Sequence, residues 1–168
     1  MKIQYCYIEY GDQETILTEL RYSLSTLLAE GIKPETVSIL TDKPYFYNGS
    51  PFDIIDIGPY LINYKGPMNY IHLIKPMALL DRLEKGTAEA YILLDTDTYI
   101  MPGFLDEVNA SLANGIGMNF FVRKNPYPGF SHSGFFMPDG KFYQYSSTQS
   151  LMYNSGVIAI KKTDRKII

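Results

Sequence analysis

Strand-like and helix-like patterns alternate along this chain, and that alternation restricts the fold more than any other feature. Lys2–Tyr10 has the apolar, β-branched and aromatic content of a strand. From Glu14 to Glu30, Leu17, Leu20, Leu24, Leu27 and Leu28 fall on one helical stripe, with Asp12 as a cap and Gly31 as a stop. Thr36–Asp42 and Phe52–Gly58 predict two more strands around a loop marked by Pro, Asn and Gly. The stretch 59–70 has no regular pattern. Helical spacing returns over Lys75–Lys85, with Pro76 in the first turn and Gly86 as the stop. Tyr91–Leu94 predicts the fourth strand, Gly103–Gly115 a short helix, and Ile116–Val122 and Leu151–Lys162 the last two strands. Arg123–Gln149 is dense in Pro, Gly, Ser and aromatics, and is expected to be a long loop, functional or mobile, part of which pairs as a short hairpin. The pattern predicts one α/β domain over residues 1–168, with a mostly parallel central sheet flanked by helices.

Composition narrows the function classes. The chain has 168 residues, of which 46% are apolar and 20% charged, as in ordinary globular domains. Its net charge of −3 and lack of a basic block argue against nucleic-acid binding and against a basic membrane-surface helix. Cys6 is the only cysteine, so neither an intrachain disulfide nor a cysteine-based zinc site can form; it is expected to be buried on the first strand. The N-terminus reads as a strand rather than a signal peptide, and no run has the length of a membrane span. The expected location is cytoplasmic. Of the two histidines, His72 is expected to be structural and partly buried, and His132 to be a loop residue.

Asp95 and Asp97 stand directly behind the apolar run Tyr91–Leu94. In an open α/β sheet ligands bind beyond the carboxyl ends of the strands, so both acids are expected at the ligand edge. Two neighbouring carboxylates repel unless a cation offsets them, and a hard divalent ion with oxygen ligands, Mn²⁺ or Mg²⁺, suits the pair. The bland alternative is that each acid turns back to a nearby backbone amide, as aspartates at strand ends commonly do.

Taken together, Leu93-Leu94-Asp95-Thr96-Asp97-Thr98, the segment IKPMALLDRLEKG with Lys75-Pro76 at its entry, and Asn154-Ser155-Gly156 opening an apolar strand resemble the GT-A glycosyltransferases, family 8 and its relatives. The resemblance implies a metal-dependent transferase that moves a sugar from a nucleotide-diphosphate sugar, a UDP-sugar first of all, to a hydroxyl acceptor such as a carbohydrate. It implies that Asp97 ligates the metal directly, and that Asp95 meets the ribose or the metal through water. It assigns Tyr7, Glu9, Asp42, Lys75, Asp95 and Thr96 to the nucleotide, and Asn154 and Ser155 to the sugar or acceptor. Many members carry a further metal ligand, often a histidine, beyond the last strand seen here, so an acceptor segment at the C-terminal side is expected to be missing. No residue presents itself as the general base: Asp139 and Asp164 are the late aspartates and neither has a fitting context. Three rivals remain open: a nucleotide-sugar-binding fragment without turnover, a pure interaction domain that binds neither metal nor nucleotide, and a phosphatase of the haloacid dehalogenase type. The last uses a similar pair of acids, but near the N-terminus, with Thr or Val at the fifth position, where this chain has Tyr99, and with a late acidic pair that does not follow here.

Overall fold

The computed structural model describes residues 1–11, 14–121, 134–136, 142–144 and 152–167, with side chains described for 1–11, 14–117 and 156–165. The chain divides into two compact units, one of residues 1–118 and 156–168, the other of residues 119–155. The strands are β1 (Ile3–Glu9), β2 (Val37–Thr41), β3 (Asp53–Asp56), β4 (Ala90–Leu94), β5 (Gly117–Phe121), β6 (Gly134–Phe136), β7 (Phe142–Gln144) and β8 (Met152–Lys161). The helices are α1 (Glu14–Ala29), α2 (Leu61–Lys65), α3 (Ile74–Lys85) and α4 (Phe104–Asn114).

The main sheet has the order β3-β2-β1-β4-β8-β5. Strands β3, β2, β1 and β4 are parallel, and β8 is antiparallel to β4, with Leu94 opposite Val157 and Ala90 opposite Lys161. Parallel strands are covered on both faces, which is why β2 and β4 are buried at every residue and read as unbroken apolar runs. One face packs Tyr5, Tyr7, Ile39, Ile92 and Leu94 against Leu20, Leu24 and Leu27 of α1 and Val108 and Leu112 of α4. The other packs Cys6, Ile8, Leu40, Tyr91 and Leu93 against Tyr64 of α2 and Ile74, Ala78, Leu79 and Leu83 of α3. Each large side chain so buried contributes about 2 kcal/mol before the entropy of ordering is counted. The edge strand β3 is short and begins and ends on Asp53 and Asp56, an arrangement that discourages pairing with another chain.

The second unit includes β6 and β7, which pair antiparallel with Phe135 opposite Tyr143, so the expected hairpin is present. His132, Asp139 and the proposed cap Asp12 lie outside the described residues. Two expectations change. The stretch 59–70, without pattern in the sequence, contains the one-turn helix α2 and a left-handed Asn69. His72 is exposed rather than partly buried, its ring tilted against Tyr70 at 5.1 Å, because the 3₁₀ turn of 71–73 lifts it off the core that Ile74 enters. Cys6 is buried on β1 as expected, and burial pushes its thiol up to about 12.

Candidate functional site

The carboxyl ends of β1, β2 and β4 lie side by side in the sheet, and the polar residues that end them form two groups. The first is built on β4. The strand stops at Leu94, and the chain turns at once: the Thr98 amide donates to the Asp95 carbonyl at 3.0 Å. The Asp95 amide and the Thr98 hydroxyl both donate to the Gly156 carbonyl of β8, at 2.8 and 3.2 Å. The Ile100 amide then donates to the Thr26 hydroxyl of α1 at 3.1 Å, which ties down the far end of the turn. The segment carrying both acids is therefore held at both ends through its backbone and the Thr98 hydroxyl, which leaves the two carboxylates available to other partners.

Those side chains differ sharply. Asp95 is largely covered and its carboxylate pairs with the Lys75 ammonium, Nζ to Oδ1 2.5 Å. Asp97 is exposed and has no partner among the described residues. Neither carboxylate accepts a backbone amide among the described residues, so the turn-forming alternative raised by the sequence does not apply to them. Lys75 reaches Asp95 because α3 runs back along β4. Twelve helical residues span about 18 Å and five strand residues about 17 Å, so the first turn of the helix ends level with the carboxyl end of the strand. A cation in the first turn of a helix opposes the helix dipole, and Asp95 offsets that cost. Thr96 is half-buried beside them.

The second group joins β1 and β2. Glu9 and Thr41 are register partners, and the Thr41 hydroxyl donates to Glu9 Oε2 at 2.6 Å. The Tyr47 hydroxyl, from the 3₁₀ turn Pro44–Tyr47, donates to the same oxygen at 3.3 Å. Burial, and after it the neighbouring Glu9 carboxylate, push the Tyr47 phenol up. Asp42 is half-buried and accepts long hydrogen bonds from the Gly11 amide, 3.3 and 3.4 Å, while the Lys43 ammonium donates to the Gly11 carbonyl. Gly11 has φ +89, a left-handed conformation that suits glycine.

The structure places the side chains of two residues expected to meet the nucleotide in the interior. Tyr7 is fully buried under α1, its hydroxyl 2.8 Å from the Ser23 hydroxyl, and burial pushes the phenol up to about 12 against the lowering effect of that bond. Side chains alternate along a strand, and Tyr7 shares the face of Tyr5 rather than the edge. Glu9 stands at the edge by position, yet it is only 2% exposed and its carboxylate is occupied by Thr41 and Tyr47. Asp42, Lys75, Asp95, Thr96 and Asp97 do stand at the carboxyl ends of the strands, in two groups. Asn154 and Ser155 belong to β8, but their side chains lie outside the described residues. Sequence reasoning missed Thr98, Thr41 and Tyr47. Hydroxyl residues next to acids at strand ends are the signal that would have found the first two.

Among the described residues, no three His, Cys, Asp or Glu side chains gather as a metal-ligand set. A hard ion that keeps several waters needs only one or two protein carboxylates when substrate phosphates complete its shell, and the exposed Asp97, without a partner among the described residues, fits that requirement with Asp95 two positions before it. Among the described residues no helix is long and apolar enough to cross a membrane.

Known proteins share this architecture without close sequence kinship. No family model matches the chain, and no curated protein does. Among solved structures, mouse xyloside xylosyltransferase 1 in its apo form superposes with a TM-score of 0.57 at 15% identity, over 98% of this chain and 68% of that one. The galactosyltransferase LgtC, in complex with donor and acceptor sugar analogues, gives 0.53 at 14%, over 98% and 60%. The bifunctional IspDF from Campylobacter jejuni gives 0.56 at 9%, over 97% and 42%. The fold is thus the α/β fold of GT-A-type nucleotide-sugar enzymes, and the chain spans between two-fifths and about two-thirds of the length of these three proteins.

Proposed function

We propose that this chain is the donor-binding domain of a metal-dependent glycosyltransferase, and that it binds a nucleotide-diphosphate sugar, a UDP-sugar first of all, at the carboxyl ends of β1, β2 and β4. One observation carries this reading: a turn fixed through its backbone presents one ion-paired and one open carboxylate where such sheets bind ligands. Two sugar transferases of the same fold support it.

In this reading Asp97, with Asp95 beside it, would hold Mn²⁺ or Mg²⁺. When bound, the ion supplies Lewis acidity that stabilises the charge on a leaving diphosphate. The remaining work falls to the chain itself. Lys75 offsets the charge of Asp95 and adds a cation on the phosphate side. Asp42 faces the base, near the loop it fastens through Gly11. Asn154 and Ser155 hydrogen-bond the transferred sugar or the acceptor hydroxyl.

Calorimetry with UDP, with and without Mn²⁺, tests the proposal together with an assay for sugar release. Metal-dependent UDP binding is expected. Equal affinity with and without metal, or no binding at all, would reject the donor site. A second reading, donor binding without turnover, is separated by the same pair of measurements: tight binding without sugar release would select it.

A further inference from the structure

Beside the Glu9, Thr41 and Tyr47 group, α1 and the turn after β2 line a hollow of about 310 Å³. Leu20 and Leu24 of α1 form its buried floor, and Phe46, Tyr47 and Phe52 form its walls. That volume lies at the lower end of the range for small-molecule sites, and predominantly apolar walls with few polar groups are their usual lining. The hydroxyl of Tyr47 is already given to Glu9, so that wall offers a ligand its ring.

Among the described residues that line the cavity, Arg21 is the one charged side chain. It is exposed and has no hydrogen bond or ion pair among the described residues. Its neighbours three and four positions away on α1 are Leu17, Thr18, Leu24 and Ser25, so no acid on the helix competes for it. A guanidinium presents planar donors that match a carboxylate in two-point contact. Its presence at the rim of an apolar hollow calls for a ligand with two ends of different character.

We propose that this cavity binds a small amphipathic monoanion, a single carboxylate on an aromatic or short aliphatic body. The body fills the space between Leu20, Leu24 and the three aromatic walls, and the carboxylate pairs with Arg21. Neither Asp95 nor Asp97 lines it.

The test titrates the full chain with 4-phenylbutanoate and, in parallel, with its neutral counterpart 4-phenylbutan-1-ol, followed by ligand-observed NMR. The carboxylate should bind about tenfold more tightly than the alcohol. Arg21→Gln should remove that preference and leave alcohol binding unchanged, and Leu17→Trp, which fills the hollow, should weaken both. Arg21 is exposed, so the Gln variant is expected to keep the parent melting temperature, and Arg21→Lys should retain part of the preference. Saturating UDP and Mn²⁺ should leave phenylbutanoate bound. Equal affinity for acid and alcohol, an undiminished preference in Arg21→Gln, binding of neither probe, or displacement by UDP would each overturn the proposal.

Discussion

Lys75, in the first turn of α3, pairs with Asp95 at the end of β4 across 2.5 Å, twenty residues apart in sequence. The pair lies at the boundary of protein and solvent, with Lys75 35% and Asp95 20% exposed, so water screens it and its contribution to stability is small. Lys75→Ala should therefore cost no more than about 1 kcal/mol in urea unfolding. Its effect on ligand binding should be larger, because the two acids then face a diphosphate without their ammonium. UDP affinity should fall about tenfold or more, the size of a lost charge-assisted contact. A large stability loss with unchanged UDP affinity would make the pair a structural strut only.

Asp97 provides the converse case. An exposed side chain with no described partner contributes little to folding, and Asp97→Ala should change stability by no more than about 0.5 kcal/mol. The same substitution should abolish the Mn²⁺-dependent part of UDP binding. Paired melts and titrations check both halves, and UDP affinity that still responds to Mn²⁺ would remove Asp97 from the metal site.

Much of this arrangement could be read in the chain beforehand, for physical reasons. The β2 and β4 runs are apolar throughout because parallel strands are covered on both faces. Gly86 ends α3 and Gly115 ends α4 where the helical stripes stop. Strand direction carries no such mark, so the antiparallel course of β8 emerges only from its pairing with β4. The inward turn of Tyr7 was equally hidden, since a strand buried on both faces shows no alternation to set its phase. Asp95 could be placed at the ligand edge from the run before it, but not its bond to Lys75, which depends on α3 and β4 matching in length.

Tyr7 and Cys6 predict an alkaline instability with a defined sign. Burial raises the Tyr7 phenol from an ordinary 10.0 to about 12, and the Cys6 thiol from 9.0 to about 12. The native state therefore holds these protons longer than the unfolded chain. Stability from them is complete below about pH 9 and falls as pH rises toward 12, by roughly 3 kcal/mol for Tyr7 alone. Tyr7→Phe should flatten the fall in melting temperature between pH 9 and 11. At neutral pH it should cost about 1 kcal/mol, because the buried Ser23 hydroxyl loses its partner. UDP affinity should not change, in keeping with a side chain inside the core. A weakened UDP titration in a variant of otherwise parental fold would return Tyr7 to the ligand edge.

Gly86 should tolerate no side chain, and for lack of space rather than for its backbone angles. Its φ of −74° suits any residue, but a β-carbon there would lie 1.9 Å from the Tyr91 hydroxyl and 2.7 Å from the Arg82 carbonyl. Tyr91 is not free to retreat, since it is 1% exposed and its hydroxyl accepts the buried Ala88 amide at 3.1 Å. Gly86→Ala should destabilise by about 2 kcal/mol, within the range for overpacked cores. Tyr91→Phe alone should cost about 1 kcal/mol through the orphaned Ala88 amide. The two changes together should cost less than their sum, because removing the hydroxyl relieves the nearest clash. A double-mutant cycle in urea reads this directly, and strict additivity would show that the steric conflict lies with Arg82 instead.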